Sequence, residues 1–117
     1  MTRLALIVCS APWQERSGRE ALDLAMSALA MDVSVRLFFI GDGLLQLVAV
    51  RQPGAAGLPP GQKAWASLAA LGEVAYYAHT EAVDGLLRAG LELVVPLEML
   101  DVGAMPSYQA DHRVLVV

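Results

Sequence analysis

The sequence predicts an α/β fold: a three-layer sandwich around one five-stranded, mostly parallel sheet, with helices on both faces. Three observations carry that prediction. Leu4–Cys9 and the Leu37–Ile40 end of a second run are apolar without alternation, as strands are when both faces are covered. Runs of strand length then alternate along the chain with stretches of helical periodicity, which calls for crossover connections and parallel strands. Finally, Val33–Val48 passes directly from strand through Gly41-Asp42-Gly43 into a short apolar helix. That strand–turn–helix succession is the unit of an open α/β sheet, where sites gather beyond the strand C-termini.

The elements follow in order. Leu4–Cys9 reads as a buried strand, stopped by Ser10-Ala11-Pro12 because proline cannot continue a ladder. Trp13–Arg16 is a loop. Ser17 and Glu20 have the spacing of a capping box, in which each side chain satisfies the other's free backbone N–H. The helix they start runs to about Met31; Glu20, Asp23 and Ser27 make one narrow polar stripe and the rest is apolar. That apolar arc is wider than the roughly 100° needed to cover a sheet, so part of it is expected to meet another subunit. After the strand and short helix of Val33–Val48 comes Arg51–Gly61, rich in proline and glycine, the one long irregular segment. Gln62–Leu71 is helical and Gly72 fits its C-terminal cap. Val74–Ala78 is the third strand, Thr80–Ala89 a helix closed by Gly90, and Leu91–Val95 a fourth strand stopped by Pro96. Leu97–Leu100 reads as a helical turn, Met105–Asp111 as loop and Arg113–Val117 as the fifth strand.

Composition narrows the class. The 117 residues suit one domain, residues 1–117, with a single core. Hydrophobic residues make up 56% and charged residues 17%, and mean hydropathy is +0.52. Ordinary domains carry about 25% charged residues, so this chain is expected to share apolar surface in an oligomer. No apolar run approaches the roughly 18 residues of a membrane span; the best, Ala21–Met31, contains Asp23 and Ser27. The apolar run near the N-terminus is too short for a secretory signal. A net charge of −4 and a single lysine, Lys63, argue against direct nucleic-acid binding, which needs a basic footprint. Cys9, the single cysteine, excludes an internal disulfide and a cysteine-based metal cluster. The expectation is a cytoplasmic protein.

No catalytic constellation stands out. There is no G-x-G-x-x-G, Walker loop, G-x-S-x-G or metal-binding histidine spacing, so no metal or other cofactor is expected. Cys9 is the one soft nucleophile, near the end of the first strand and near a helix N-terminus that would lower its pKa. Within Leu-Ile-Val-Cys the expected state is nevertheless burial as a small hydrophobe. His79, ending the third strand, is placed for acid–base work; the plainer expectation is a partly exposed ring bonded to backbone. Gly41, Asp42 and Gly43 are ligand-binding candidates at the sheet edge, with Asp42 favoured instead as the cap of a helix starting at Leu44. Leu44, Leu45, Leu47, Val48 and Trp65 are the expected interface residues.

Taken together these residues resemble a family. Ser10-Ala11-Pro12 follows the first strand, then Gly18-Arg19-Glu20-Ala21-Leu22-Asp23, then Phe38-Phe39-Ile40-Gly41-Asp42-Gly43-Leu44-Leu45-Gln46-Leu47. This combination looks like the DsrE/DsrF-like sulfur-relay family, TusC/DsrF branch, most closely over Leu4–Val48 with a looser echo in Leu86–Leu91. The resemblance implies a hetero-oligomer with TusB/DsrH-like and TusD/DsrE-like subunits that passes persulfide sulfur toward 2-thiolation of the tRNA wobble uridine, or works in sulfur oxidation. It also implies that the carrier cysteine sits just after the third strand of the TusD/DsrE subunit. Here that region reads Tyr76-Tyr77-Ala78-His79-Thr80-Glu81-Ala82, without a thiol, which implies a non-catalytic structural subunit. The rival expectations are a persulfide acceptor through Cys9, a small-ligand module using Gly41-Asp42-Gly43 and His79, and a homo-oligomer in isolation.

Overall fold

The sheet consists of β1 (Arg3–Val8), β2 (Ser34–Phe39), β3 (Val74–His79), β4 (Glu98–Leu100) and β5 (Arg113–Val116), in the order β4-β3-β2-β1-β5. Every neighbouring pair is parallel. The computed structural model describes residues 3–9, 11, 17–48 and 61–117, and the side chains of 17–18 and 61–63 are not among what it describes. The expected loop Trp13–Arg16, residues 51–60 of the proline- and glycine-rich segment and the Ser17 side chain of the capping box therefore lie outside the described residues.

One face of the sheet is deeply covered. Leu4, Leu6, Val8, Val35, Leu37, Phe39, Tyr76 and Ala78 point to it at the period of two that strands impose. Helix α1 (Ser17–Ala30) lays Ala21, Ala25 and Leu29, four residues apart, onto that surface. Ala21 and Ala25 bring the helix close, and Leu29 fills the end of the gap. A 3₁₀ helix at Gly41–Leu47 adds Leu44 and Leu47, helix α2 (Gly61–Ser67) adds Trp65, and helix α3 (Thr80–Arg88) adds Val83. Trp65 meets Phe39 edge to face, with ring centroids 5.2 Å apart. The buried Tyr76 hydroxyl donates to the Trp65 carbonyl, tying α2 to β3.

The other face is thinly covered. Ala5, Phe38 and Tyr77 pack there against Leu100 and Met105, the first residue of the short helix α4 (Met105–Gln109). Arg36 pins α4 in place: its guanidinium donates to the Tyr108 carbonyl at 2.7 Å and lies 5.9 Å from the ring centroids of both Tyr77 and Tyr108. Helices thus lie on both faces of a five-stranded parallel sheet, as expected. On α1, Leu24 and Met26 remain exposed, and Met31 just beyond it is 77% exposed, so the helix is wider in apolar arc than its own core uses.

Three elements depart from expectation, each for a backbone reason. The fourth strand is not Leu91–Val95. Val94 N–H donates to the Leu47 carbonyl at 2.8 Å, and Leu93 bridges Val48 antiparallel. The segment is thereby drawn to the end of the 3₁₀ helix, and β4 forms only beyond Pro96, which itself has no N–H to give a ladder. The helical turn expected at Leu97–Leu100 is consequently strand. The loop expected at Met105–Asp111 begins as α4, with Pro106 in its first turn, where a missing N–H costs no hydrogen bond.

Candidate functional site

The residues singled out at strand ends all reach the C-terminal edge of the sheet. Val8 is in register with Phe39, and Phe39 with Ala78, so the next residues, Cys9, Ile40 and His79, form one row. Leu100 extends it as the partner of His79 in β4. Cys9 and His79 are two strands apart, about 10 Å between backbones, with Ile40 between them. The Thr80 hydroxyl donates to Asp101 Oδ1 at 3.3 Å, tying the start of α3 to the residue after β4.

Cys9 is exposed, not buried as expected. The strand ends at Val8, so the thiol-bearing residue has already left the covered part of the sheet. His79 is half-buried, and its Nδ1 is fully buried with no hydrogen-bond partner among the described residues, where the expectation was a partly exposed ring bonded to backbone. Asp42 is exposed and does not cap a helix. The 3₁₀ helix begins before it, at Gly41, and its N-cap, Ile40, offers no side-chain bond.

The two glycines around Asp42 have backbone reasons of their own. Gly41 sits at φ +55°, in the left-handed region where side chains are disfavoured. Gly43 is pressed against β1: a Cβ there would collide with the Val8 carbonyl and lie 3.1 Å from the Cys9 nitrogen. Ile40 N–H donates to that same Val8 carbonyl at 2.9 Å, and Gly43 N–H donates to the Ile40 carbonyl at 2.9 Å. The Gly-Asp-Gly turn is therefore a clasp between the ends of β1 and β2.

Of the five expected interface residues, Leu44, Leu47 and Trp65 belong to this chain's own core, at 2%, 0% and 1% exposure, and Leu45 and Val48 are half-buried. The apolar character of Leu44, Leu47 and Trp65 is spent on the sheet. Gln46, between them, is a buried polar residue that the sequence reading carried only as part of the family motif, with no site role.

Burial perturbs two tyrosines of β3. Burial pushes the Tyr76 phenol above its usual range. Tyr77 is raised too, by burial first, with the Arg36 charge pulling the other way and Glu98 and Tyr108 adding to the rise.

Comparison with known proteins agrees with this architecture. The model of the DsrE/DsrF-like family matches residues 2–117. A TusC homolog of Aliivibrio fischeri is 43% identical over 53 residues, 45% of this chain and 45% of that protein. Protein TusC of Klebsiella pneumoniae subsp. pneumoniae is 49% identical over 57 residues, 47% of this chain and 46% of that protein. The matched part of the chain thus spans about half the length of these curated relatives. The crystal structure of the ychN protein from E. coli superposes over 100% of both chains with a TM-score of 0.81 at 20% identity, a likeness of fold. With an all-parallel sheet in this order and a family match across nearly its whole length, the chain belongs to the DsrE/DsrF-like family, on its TusC/DsrF branch.

Proposed function

We propose that this chain is a non-catalytic structural subunit of a cytoplasmic persulfide-relay complex, assembled with TusB/DsrH-like and TusD/DsrE-like subunits and serving 2-thiolation of the tRNA wobble uridine. One observation carries the reading. At the end of β3, where the family resemblance calls for a carrier cysteine in the catalytic subunit, this chain has His79 and Thr80, and neither can hold sulfur as a persulfide. The surplus apolar surface, including Met31, Leu87 and Val102, supports a chain that works in company. Co-expression with TusB- and TusD-like subunits tests it: the three should co-purify as one species, and the complex should lose tRNA thiolation when this chain is left out. Recovery of this chain free of both partners would sink the reading.

The exposure of Cys9 favours a second reading, that of a persulfide acceptor. In that step the Cys9 thiolate attacks the outer sulfur of a donor persulfide, the S–S bond of the donor breaks, and the donor departs as its thiolate. Intact mass after incubation with a persulfide donor should then rise by one sulfur atom, and Cys9→Ser should abolish the rise. An unmodified wild-type chain rules this reading out.

A further inference from the structure

The β4 side of the sheet is only half closed. β4 pairs with Tyr77, Ala78 and His79, so Val74, Ala75 and Tyr76 have no strand beside them on that side among the described residues. Val35 N–H donates to the Glu73 carbonyl at 3.0 Å, which fixes the parity of β3: Ala75 and Tyr77 turn their backbone groups to β2, and Val74 and Tyr76 turn theirs outward. An open groove of about 450 Å³ runs along this bare edge. It is lined by Ala66 and Ala69, by Val74 and Tyr76 of β3, and by Val95 and Pro96. Beyond the groove thus lies Leu91–Val95, the segment with the composition of a strand. Two contacts hold it where it is: the Val94 N–H bond to the Leu47 carbonyl at 2.8 Å, and the antiparallel bridge between Leu93 and Val48.

We propose that residues 93–97 form a strap with two seats, exchanging between the Leu47 carbonyl and the bare edge of β3. Carrying the β3–β4 register back from Tyr77 and Glu98 sets Leu97 beside Tyr76, Pro96 beside Ala75 and Val95 beside Val74. The faces already agree. Val95 and Leu97 pack on the deeply covered face, as Val74 and Tyr76 do, so the strap closes without turning a side chain over. Once it is closed, Tyr76 N–H donates to the Pro96 carbonyl, Val74 N–H donates to the Val94 carbonyl, and β4 lengthens to residues 95–100. The two seats exclude each other. The N–H and C=O of one extended residue point to the same side, so a Val94 whose carbonyl faces β3 has withdrawn its N–H from Leu47. Pro96 keeps the closed seat from winning: its missing N–H leaves the Val74 carbonyl without a donor. Closing fills the groove and frees the Leu47 carbonyl at the end of the 3₁₀ helix, which couples the two places. A molecule lodged in the groove would hold the strap at Leu47, and one bonded to that carbonyl would send it to β3. The exchange belongs to this chain and does not rest on the relay reading.

Amide hydrogen exchange of the full chain, followed by NMR, tests it. Rates are read relative to Leu6 of β1, in the middle of the sheet, whose exchange reports overall stability. Pro96→Ala restores the donor that the closed seat lacks. Exchange at the Tyr76 amide should then slow roughly fivefold, the worth of one backbone hydrogen bond, while the Val94 amide, released from Leu47, should exchange faster. In a Cys9→Ser background, the oxidised double variant Val48→Cys/Leu93→Cys ties the bridged pair together and locks the strap in the seat observed. Combined with Pro96→Ala, that lock should return the Tyr76 amide to its wild-type rate, and reduction should slow it again. Tyr76 and Val94 amides that fail to move in opposite directions in Pro96→Ala overturn the proposal. So does a slowed Tyr76 amide that persists in the oxidised double variant.

Discussion

Gly43 is a residue whose side chain could hardly be larger than a hydrogen atom. A methyl group there collides with the Val8 carbonyl, which already accepts from Ile40 N–H, so relief requires β1 and the turn after β2 to separate. Gly41, by contrast, has open space around a Cβ and is constrained by its φ of +55° alone. Gly43→Ala should therefore cost about 3 kcal/mol, as overpacking into backbone does, while Gly41→Ala should cost only about 1 kcal/mol, the strain of a left-handed alanine. Urea denaturation of the two variants checks the order, and equal losses would mean that the clasp yields freely. The Cys9 nitrogen lies in the same contact, so the first substitution should also disturb the thiol's surroundings.

At the scale of elements, α4 is too short to hold itself, since an isolated helix of its length is not stable in water. Arg36 supplies what the helix lacks: a charged donor to the Tyr108 carbonyl and a cation over two aromatic rings. Arg36→Met keeps much of the stem's packing but removes both interactions, and should lower stability by about 2 kcal/mol, as loss of a charged hydrogen bond does. Hydrogen exchange should then accelerate in Met105–Gln109 and not in α1. Uniform acceleration across the chain would deny Arg36 this local role.

The strands were legible where composition alone determines them. The first three and the last reveal themselves by apolar runs bounded by proline, glycine or a polar turn. β4 was not legible, because Leu91–Val95 has better strand composition than Glu98–Leu100, and only the tertiary bond from Val94 to Leu47 decides between them. The candidate site was legible in its place, the C-terminal edge, because parallel register delivers strand ends there whatever their sequence. Its details were not: the exposure of Cys9 turns on the strand ending one residue sooner, and the reason for Gly43 lies in a neighbour 35 positions earlier, Val8. Leu44, Leu47 and Trp65, expected at an interface, lie in the chain's own core for a related reason. An apolar helix reads the same whether it faces its own sheet or a partner.

For the whole molecule, the perturbed phenols give a pH dependence with a definite sign. Tyr76 and Tyr77 are both held above the ordinary value of 10.0 in the folded chain, so the folded state keeps protons that the unfolded state releases. Their contribution is complete below pH 10 and is lost as pH climbs from there through the folded values. Stability should fall on the alkaline side, and Tyr76→Phe should flatten that fall while losing the bond to the Trp65 carbonyl at neutral pH. Denaturant midpoints across the alkaline range provide the measurement. An unchanged slope in the variant would assign the alkaline loss to other groups.

The strand order has a kinetic side. β1 lies inside the sheet only because β5, the last strand in the chain, comes back to pair with it. During synthesis β1, β2, β3 and β4 emerge with one flank of β1 still open, and closure waits for a contact between residues more than a hundred positions apart, such as Leu4 with Arg113. Long-range parallel pairing of this kind is slow and leaves an edge available to wrong partners in the meantime. Of these five strands, β1 is thus made first and enclosed last, and the sheet cannot finish before β5 has been made.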